Sequence, residues 1–255
     1  MKKAFLAGIA IMALAVASSC VAAALPKKPQ VAYQVPILVY HNVAPAPAKK
    51  ESAMTKHYRI TPENFEAQMQ YLKENDYTPI TLNALASHYL QGTSIPAKAI
   101  VLTFDDGWKS QYTYAYPILK KFGYTASFYI ITSYPTGKYP AYMGWDQIRD
   151  LDKNGMEIGS HTVHHVNLAR IPVAQVAPEL TDSKATLEKE LGHAITTFVY
   201  PEYGQNAMVQ AAVKSAGYLA ARAGWSRLSN GASTIFALKS REAVNNPNPF
   251  STVVQ

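Results

Sequence analysis

The stretch Ala99 to Gly107, AIVLTFDDG, constrains the fold more than any other part of the chain. Its first six residues, Ala99 to Phe104, form a short apolar run with β-branched Ile100, Val101 and Thr103, bounded by Pro96 before and Gly107 after. Such a run predicts a strand buried on both faces, as in a parallel sheet or barrel. Two carboxylates, Asp105 and Asp106, follow where the chain must turn. Neighbouring residues leaving a strand point to different sides. One carboxylate can therefore bind a metal while the other takes a proton. Taken alone, Asp-Asp-Gly is also an ordinary polar turn, so the decision rests on what lies elsewhere in the chain.

Around this strand the sequence alternates between strand and helix patterns. Ile37 to Tyr40 is a short strand ending at His41. Thr61-Pro62-Glu63 starts a helix, with Thr as N-cap and Pro at the first helical position, and Phe65, Met69 and Leu72 give it an apolar face. A second helix is predicted near Leu82 to Leu90. Beyond the central strand come a helix over Tyr116 to Phe122, a strand over Thr125 to Ile131 and a helix over Trp145 to Asn154. Met156 to Gly159 is a strand leading into His161. Pro178 to Leu191 is helical, Thr196 to Tyr200 a strand, Asn206 to Ala216 a helix, Tyr218 to Ala221 a strand, and Thr234 to Leu238 the last strand. Six or seven such βα units imply a parallel sheet and favour a closed or nearly closed α/β barrel over an open sheet. Active sites of barrels gather at the C-terminal ends of the strands. Three polar clusters fall there: His41, Asp105-Asp106, and His161-Thr162-Val163-His164-His165.

His161 and His165 are four residues apart, so a helical turn would place both imidazoles on one face. With one carboxylate they make a two-His, one-carboxylate set that leaves coordination positions open, as catalytic zinc sites do; His164 is the rival ligand. A divalent metal so held would lower the pKa of a bound water from 15.7 to roughly 7. The second carboxylate would then serve as general base, and His41, at the end of a buried strand, is the candidate acid for the leaving group. His57, His88 and His193 fall in loops or on helix surfaces and are expected to be solvated. No Gly-x-Ser-x-Gly elbow, Walker A loop or strand-plus-GxGxxG unit is present.

Residues 1–24 read as an export signal: Lys2 and Lys3, an apolar run from Ala4 to Ala17 too short to span a membrane, then small residues. Cleavage after Ala24 would release a soluble protein, whereas Ala17-Ser18-Ser19-Cys20 loosely resembles a lipoprotein box that would leave a lipid anchor on Cys20, the only cysteine. Either route implies an exported protein, periplasmic or secreted, with no internal disulfide. Residues 25–35 read as a linker and 36–255 as one catalytic domain. The net charge of +7 falls to +5 without Lys2 and Lys3. The basic residues are scattered and no nucleic-acid motif accompanies them, so no nucleic-acid partner is expected.

TFDDG (103–107), SHTVHH (160–165) and FVYPEYG (198–204) resemble the successive motifs of the polysaccharide deacetylase family, the NodB-type carbohydrate esterases. The resemblance covers roughly Val35 to Arg241. It implies a distorted, incomplete (β/α) barrel that removes N-acetyl or O-acetyl groups from a polysaccharide with N-acetylated amino sugars. By that likeness Asp105 is the base, and Asp106, His161 and His165 bind a divalent metal, Zn2+ first, with Co2+ or Ni2+ as alternatives. Tyr203 would lend its backbone N–H to the oxyanion. Two departures stand out: the family's Arg that orients the base is replaced by the Phe198-Val199 region, and no His follows His193 to supply the usual late acid. The opening VPILVYHNV instead resembles the subgroup that deacetylates poly-N-acetylglucosamine, in which an early Tyr-His supplies the acid. His41 would then be the acid, and Arg241 (or Arg222) the substitute arginine. The alternative reading is a glycan-binding protein on the same fold that has lost catalysis and holds sugar through Trp108, Trp145, Tyr203 and Trp225.

Overall fold

The strand Ala99–Phe104 (β5) is buried at all six positions and stands at the centre of a parallel sheet. The computed structural model describes residues 34–47, 52, 57–224 and 229–245, all within the compact unit Tyr33–Gln255. The expected signal segment 1–24, Cys20, most of the 25–35 linker and Trp225 lie outside the described residues.

Before β5 come Ile37–Tyr40 (β1), Asn42–Val43 (β2), Arg59–Ile60 (β3), the helix Pro62–Glu74 (α1), Thr78–Ile80 (β4) and the helix Leu82–Gln91 (α2). After it come a π-helical turn Gln111–Ala115, Tyr116–Phe122 (α3), Ser127–Ile130 (β6), Trp145–Lys153 (α4), Glu157–Ser160 (β7), Val173–Leu191 (α5), Thr197–Val199 (β8), Ala207–Ser215 (α6), Ala220–Arg222 (β9) and Arg241–Glu242 (β10). The sheet runs β10-β1-β5-β6-β7-β8-β9 with every pair parallel, and it curls into a half-barrel flanked by helices. β4 pairs with the first half of β5 and β6 with its second half. Pro79 is tolerated in β4 because that strand is an edge.

Side-chain alternation along the strands produces two cores. Leu38, Tyr40, Ile100, Leu102, Phe104 and Phe128 face outward and pack beneath the helices. There the ring of Phe104 stacks on Tyr40 and Phe128 at centroid distances of 5.1 and 4.6 Å. Ile37, Ala99, Val101, Tyr129 and Val199 face the barrel interior, which Leu82 and Leu85 of α2 join. Gly159 is required by this inner packing, because a Cβ there would sit 2.4 Å from the Tyr129 ring.

Three expectations need correction. Thr234 to Leu238 is not a strand: a 3-10 turn occupies Ala232–Thr234, and Leu238 makes an isolated bridge to Arg222. The segment 238–243 crosses from β9 to β1, with Ala223 N–H bonded to the Leu238 carbonyl and Ala243 N–H to the Val39 carbonyl, so short pairings on two edges replace a full strand. The helix predicted from Pro178 starts at Val173, with Pro178 inside it; the Ala174 carbonyl that Pro178 cannot serve lies in an exposed first turn, where water can. Residues 161–165 are not helical: Thr162 and His165 adopt left-handed conformations, with φ of 67° and 58°.

Candidate active site

Parallel register brings the three polar clusters to one rim. Tyr40 pairs with Phe104 and Ile130 with Ser160. The next residues therefore continue the same edge: Asp105 N–H donates to the Tyr40 carbonyl at 2.9 Å and His161 N–H to the Ile130 carbonyl at 3.0 Å. Buried Gln111, in the π-helical turn, donates from its amide to the carbonyls of both His41 and Asp105 and ties these strand ends together. Such π-turns occur disproportionately at functional sites.

The two aspartates diverge. Asp106 is left-handed, with φ of 73°, followed by Gly107 at 76°. A non-glycine residue in that region costs about 1–3 kcal/mol, and here the reversal aims the two carboxylates at different partners. Asp105 Oδ2 accepts from Arg222 Nη2, while its Oδ1 is buried without a hydrogen-bond partner. Asp106 Oδ2 accepts from Trp108 Nε1 at 2.9 Å, and its Oδ1 lies 3.4 Å from His161 Nε2 and 3.2 Å from His165 Nε2.

Those three atoms fit a divalent cation. His161 Nδ1 is bonded to the Val199 carbonyl at 2.8 Å, so that nitrogen carries the proton and Nε2 of the neutral ring offers a lone pair. Asp106 Oδ1 is buried and has no hydrogen-bond partner. Ligand atoms of Asp106, His161 and His165 lie within 4.8 Å of one another, the one such group of three or more among the described residues. Burial acts to raise the Asp106 pKa, but the close approach of His161 and His165 prevails and holds it well below the usual carboxylate range. The carboxylate is therefore ready to bind a cation. His164, the rival ligand, instead turns outward to Glu179 on α5, Nδ1 to Oε1 at 2.6 Å. Glu179 Oε2 also accepts from the backbone N–H groups of Val163 and His164, and Thr162 Oγ1 accepts from His165 N–H. The conformation of the 161–165 loop is thus held from outside.

His41 stands across the site, its Nε2 3.9 Å from Asp105 Oδ2 and its Nδ1 3.4 Å from Glu242 Oε2. Its ring leans on Tyr58 at 4.6 Å. Burial works to lower the His41 pKa, but Glu242 and the two aspartates outweigh it, and the net shift is upward. Burial raises the Glu242 pKa despite the opposing pull of His41.

Two expected contributions fall elsewhere. Arg241 is exposed and is not the arginine that pairs with Asp105. In β10 neighbouring side chains face opposite sides, so Glu242 turns to the site and Arg241 away from it. Arg222, fully buried at the end of β9, binds Asp105 and donates from Nη1 to Ser240 Oγ at 3.1 Å. The backbone N–H of Tyr203 donates to the Tyr200 carbonyl at 3.1 Å and so does not face a substrate oxygen. Tyr203 contributes its phenol, whose hydroxyl donates to Glu242 Oε1. Gly224 makes room for this, since a Cβ there would lie 2.7 Å from the Tyr203 ring. Glu242 and Tyr58 had no sequence signal, because neither sits in a motif and both reach the site only through tertiary contacts. A cavity of about 490 Å³ opens over these groups, walled by His41, Tyr58, Trp108, Tyr200 and Tyr203.

Comparison with known proteins agrees with this geometry. The sequence pattern of the family described as polysaccharide deacetylase matches residues 92–221. The chain is 28% identical over 185 residues to the putative polysaccharide deacetylase YxkH of Bacillus subtilis, covering 72% of this chain and 62% of that one. It is 29% identical over 137 residues to the poly-beta-1,6-N-acetyl-D-glucosamine N-deacetylase of Escherichia coli K12, covering 48% of this chain and 20% of that protein. The chain thus spans about three fifths of the first relative and a fifth of the second. Among solved structures, the Streptococcus pyogenes deacetylase PplD shares the fold with a TM-score of 0.78 at 23% identity, over 87% of this chain and 98% of that one. The polysaccharide deacetylase BA0330 of Bacillus anthracis, described as putative, matches at 0.74 and 25% identity, over 87% and 69%. The incomplete parallel barrel, the Asp-Asp pair on its central strand and the His-His loop two strands away are where the family's motifs meet, and the chain belongs to the polysaccharide deacetylase family.

Proposed function

We propose that this chain is a metal-dependent hydrolase that removes N-acetyl groups from an exported polymer of N-acetylglucosamine. The observation that carries the reading is the convergence of Asp106 Oδ1, His161 Nε2 and His165 Nε2 beside Asp105, whose second oxygen is free to take a proton. The relatives in Escherichia coli and Staphylococcus aureus are named for poly-beta-1,6-N-acetyl-D-glucosamine, which supports an amino-sugar polymer as substrate here. The export signal expected at residues 1–24 supports a substrate outside the cytoplasm.

When bound, a divalent ion, Zn2+ first and Co2+ or Ni2+ as alternatives, would polarise the acetyl carbonyl and acidify a water. Asp105 Oδ1 takes the proton of that attacking water. Arg222 holds Oδ2 and keeps the carboxylate in one orientation. As the C–N bond breaks, His41 gives its Nε2 proton to the leaving amine, with Glu242 steadying the Nδ1 side of the ring. Acetate and a free amino sugar are the products. Tyr58, Trp108 and Tyr203 wall the cavity and present apolar faces to the sugar.

Acetate release measured across poly-N-acetylglucosamine, chitin-like oligomers and peptidoglycan tests this reading. Release from at least one of them should be abolished by a chelator and restored by Zn2+. Asp105→Asn should keep the ion, by elemental analysis, and lose turnover. If that variant loses the ion instead, the two aspartates have been assigned the wrong way round. Release that survives the chelator would end the metal-dependent reading.

A further inference from the structure

Tyr203 and Glu242 meet across the opening of the sheet. In the strand order β9 and β10 are the two ends, and Glu242 belongs to β10. Tyr203 follows β8, in the turn Pro201–Tyr203, and its side chain passes over Gly224, just beyond β9, to reach Glu242 Oε1. Three features aim it there. Glu202 and Tyr203 are both left-handed, with φ of 51° and 56°, a conformation that non-glycine residues keep only where the surroundings enforce it. Gly204 N–H closes the turn on the Pro201 carbonyl at 2.9 Å. At Gly224 the φ is one that alanine could adopt, so it is the Tyr203 ring that keeps this position free of a side chain.

Through Glu242 the phenol reaches the acid. With Oε1 held by Tyr203, Glu242 Oε2 lies 3.4 Å from His41 Nδ1, and His41 Nε2 lies 3.9 Å from Asp105 Oδ2. His41 Nδ1 is buried, and 3.4 Å is long for an N–H···O bond, so its strength depends on how the carboxylate is turned. A carboxylate fixed at one oxygen cannot swing the other away from the imidazole. The titratable groups facing His41 are Asp105 and Asp106 beyond β5, Glu242 of β10 and Tyr58 ahead of β3; Glu242 also faces Asp105 and His57.

We propose that Tyr203 is a positioning residue for the acid: its hydroxyl anchors Glu242 so that the carboxylate holds the His41 imidazole with Nε2 towards the leaving group. The inference rests on the deacetylase reading for the destination of the proton. It moves the contribution of Tyr203 from the backbone to the side chain, and from the oxyanion to the departure of the amine.

The His41 ring should be followed by NMR titration of the protein supplied with Zn2+, in the wild type, Tyr203→Phe, Gly224→Ala and Glu242→Gln, its signal assigned by loss in His41→Gln. Tyr203→Phe keeps the ring and removes only the anchor, whereas Gly224→Ala displaces the ring and keeps the hydroxyl. Both should lower the His41 pKa by a fraction of the drop that Glu242→Gln causes. On an N-acetylglucosamine oligomer, kcat of Tyr203→Phe should fall about 3- to 10-fold with KM changed less than about 2-fold. Aryl acetates, whose leaving group needs little protonation, should lose less. Tyr203→Phe/Glu242→Gln should be no slower than Glu242→Gln alone, because the phenol then has no carboxylate to aim. A His41 pKa that is unchanged or raised in Tyr203→Phe overturns the proposal, since a donor that only shares the carboxylate's charge would raise it on removal. A loss equal on both substrate types, or one carried by KM, also overturns it and makes Tyr203 a substrate contact. If the wild type releases no acetate yet Tyr203→Phe lowers the His41 pKa, the positioning stands and the deacetylase reading falls. If there is neither release nor shift, both fall.

Discussion

Arg222 offers the sharpest test of the site's electrostatics. Its guanidinium is fully buried and pairs with Asp105, whose side chain is only 4% exposed, through Nη2 and Oδ2. Its Nη1 reaches Ser240 Oγ, which in turn donates to the Ala223 carbonyl. Arg222→Met keeps much of the side-chain volume but leaves the buried Asp105 carboxylate without its guanidinium partner. Breaking a buried pair from one side costs about 3–5 kcal/mol, chiefly through the charge left behind. For a domain of this size about 1 kcal/mol corresponds to roughly 2–4 °C in Tm, so the melting temperature should fall by about 6–20 °C. Thermal unfolding followed by circular dichroism at fixed metal concentration measures this. The double variant Arg222→Met/Asp105→Asn removes the stranded charge as well and should recover a substantial part of the loss; such non-additivity is the signature of direct coupling. Arg241→Met, on the exposed side of β10, should change stability by no more than about 0.5 kcal/mol. The reasoning fails if Arg222→Met behaves like Arg241→Met, or if the double variant is simply additive.

Glu242→Gln should retain the metal, lower kcat more than it raises KM, and move the alkaline limb of the kcat–pH profile to lower pH. The sign follows because burial already pulls the His41 pKa down and the Glu242 carboxylate is a main influence lifting it; an unmoved limb would detach Glu242 from the acid. Glu179→Ala should weaken divalent-metal affinity about 10–100-fold in competition titrations, because it frees the backbone of Val163 and His164 on the ligand loop; unchanged affinity would show that the loop holds itself. For His193, burial works to lower the pKa, but the bonds to Asp152 and the Ala194 carbonyl prevail and raise it. A raised histidine stabilises the fold fully below its unfolded pKa and loses that contribution as pH rises through the folded value. His193→Gln should therefore cost more at about pH 5.5 than at about pH 8.5, by under about 1 kcal/mol because the pair is half-exposed. Equal costs in denaturant titrations at the two pH values would refute the pairing.

Local sequence determined the parts of this protein that depend on neighbours in the chain. A six-residue run of five apolar residues and Thr103, rich in β-branched side chains and bounded by Pro96 and Gly107, reads as a strand covered on both sides, and Ala99–Phe104 is one. A strand that ends in two carboxylates places them on a rim, and the alternation of strands with helices puts every such rim at one end of the barrel. Asp105, Asp106, His161, His165 and His41 were legible for that reason. The Thr61 cap was equally readable, accepting from Asn64 N–H to start α1; Asn206, read as the first residue of α6, proves to be its cap and accepts from Val209 N–H.

The tertiary structure decided what depends on which face a short segment turns inward and on which distant chain meets it. A two-residue strand such as Arg241–Glu242 carries no periodicity from which to read its facing. Only its pairing with β1 shows that Glu242 turns to His41 and Arg241 to solvent. Arg222 ends a three-residue strand of small residues, and its place against Asp105, 117 residues earlier, follows from barrel curvature. The choice of His165 over His164 depended on two left-handed residues and on Glu179, sixteen residues beyond Val163. Such conformations are unfavourable in isolation and persist because tertiary bonds from α5 outweigh their cost. The polar clusters were therefore written in the motifs, while the groups that orient Asp105, Asp106, His161, His165 and His41 came from contacts that only the folded chain makes.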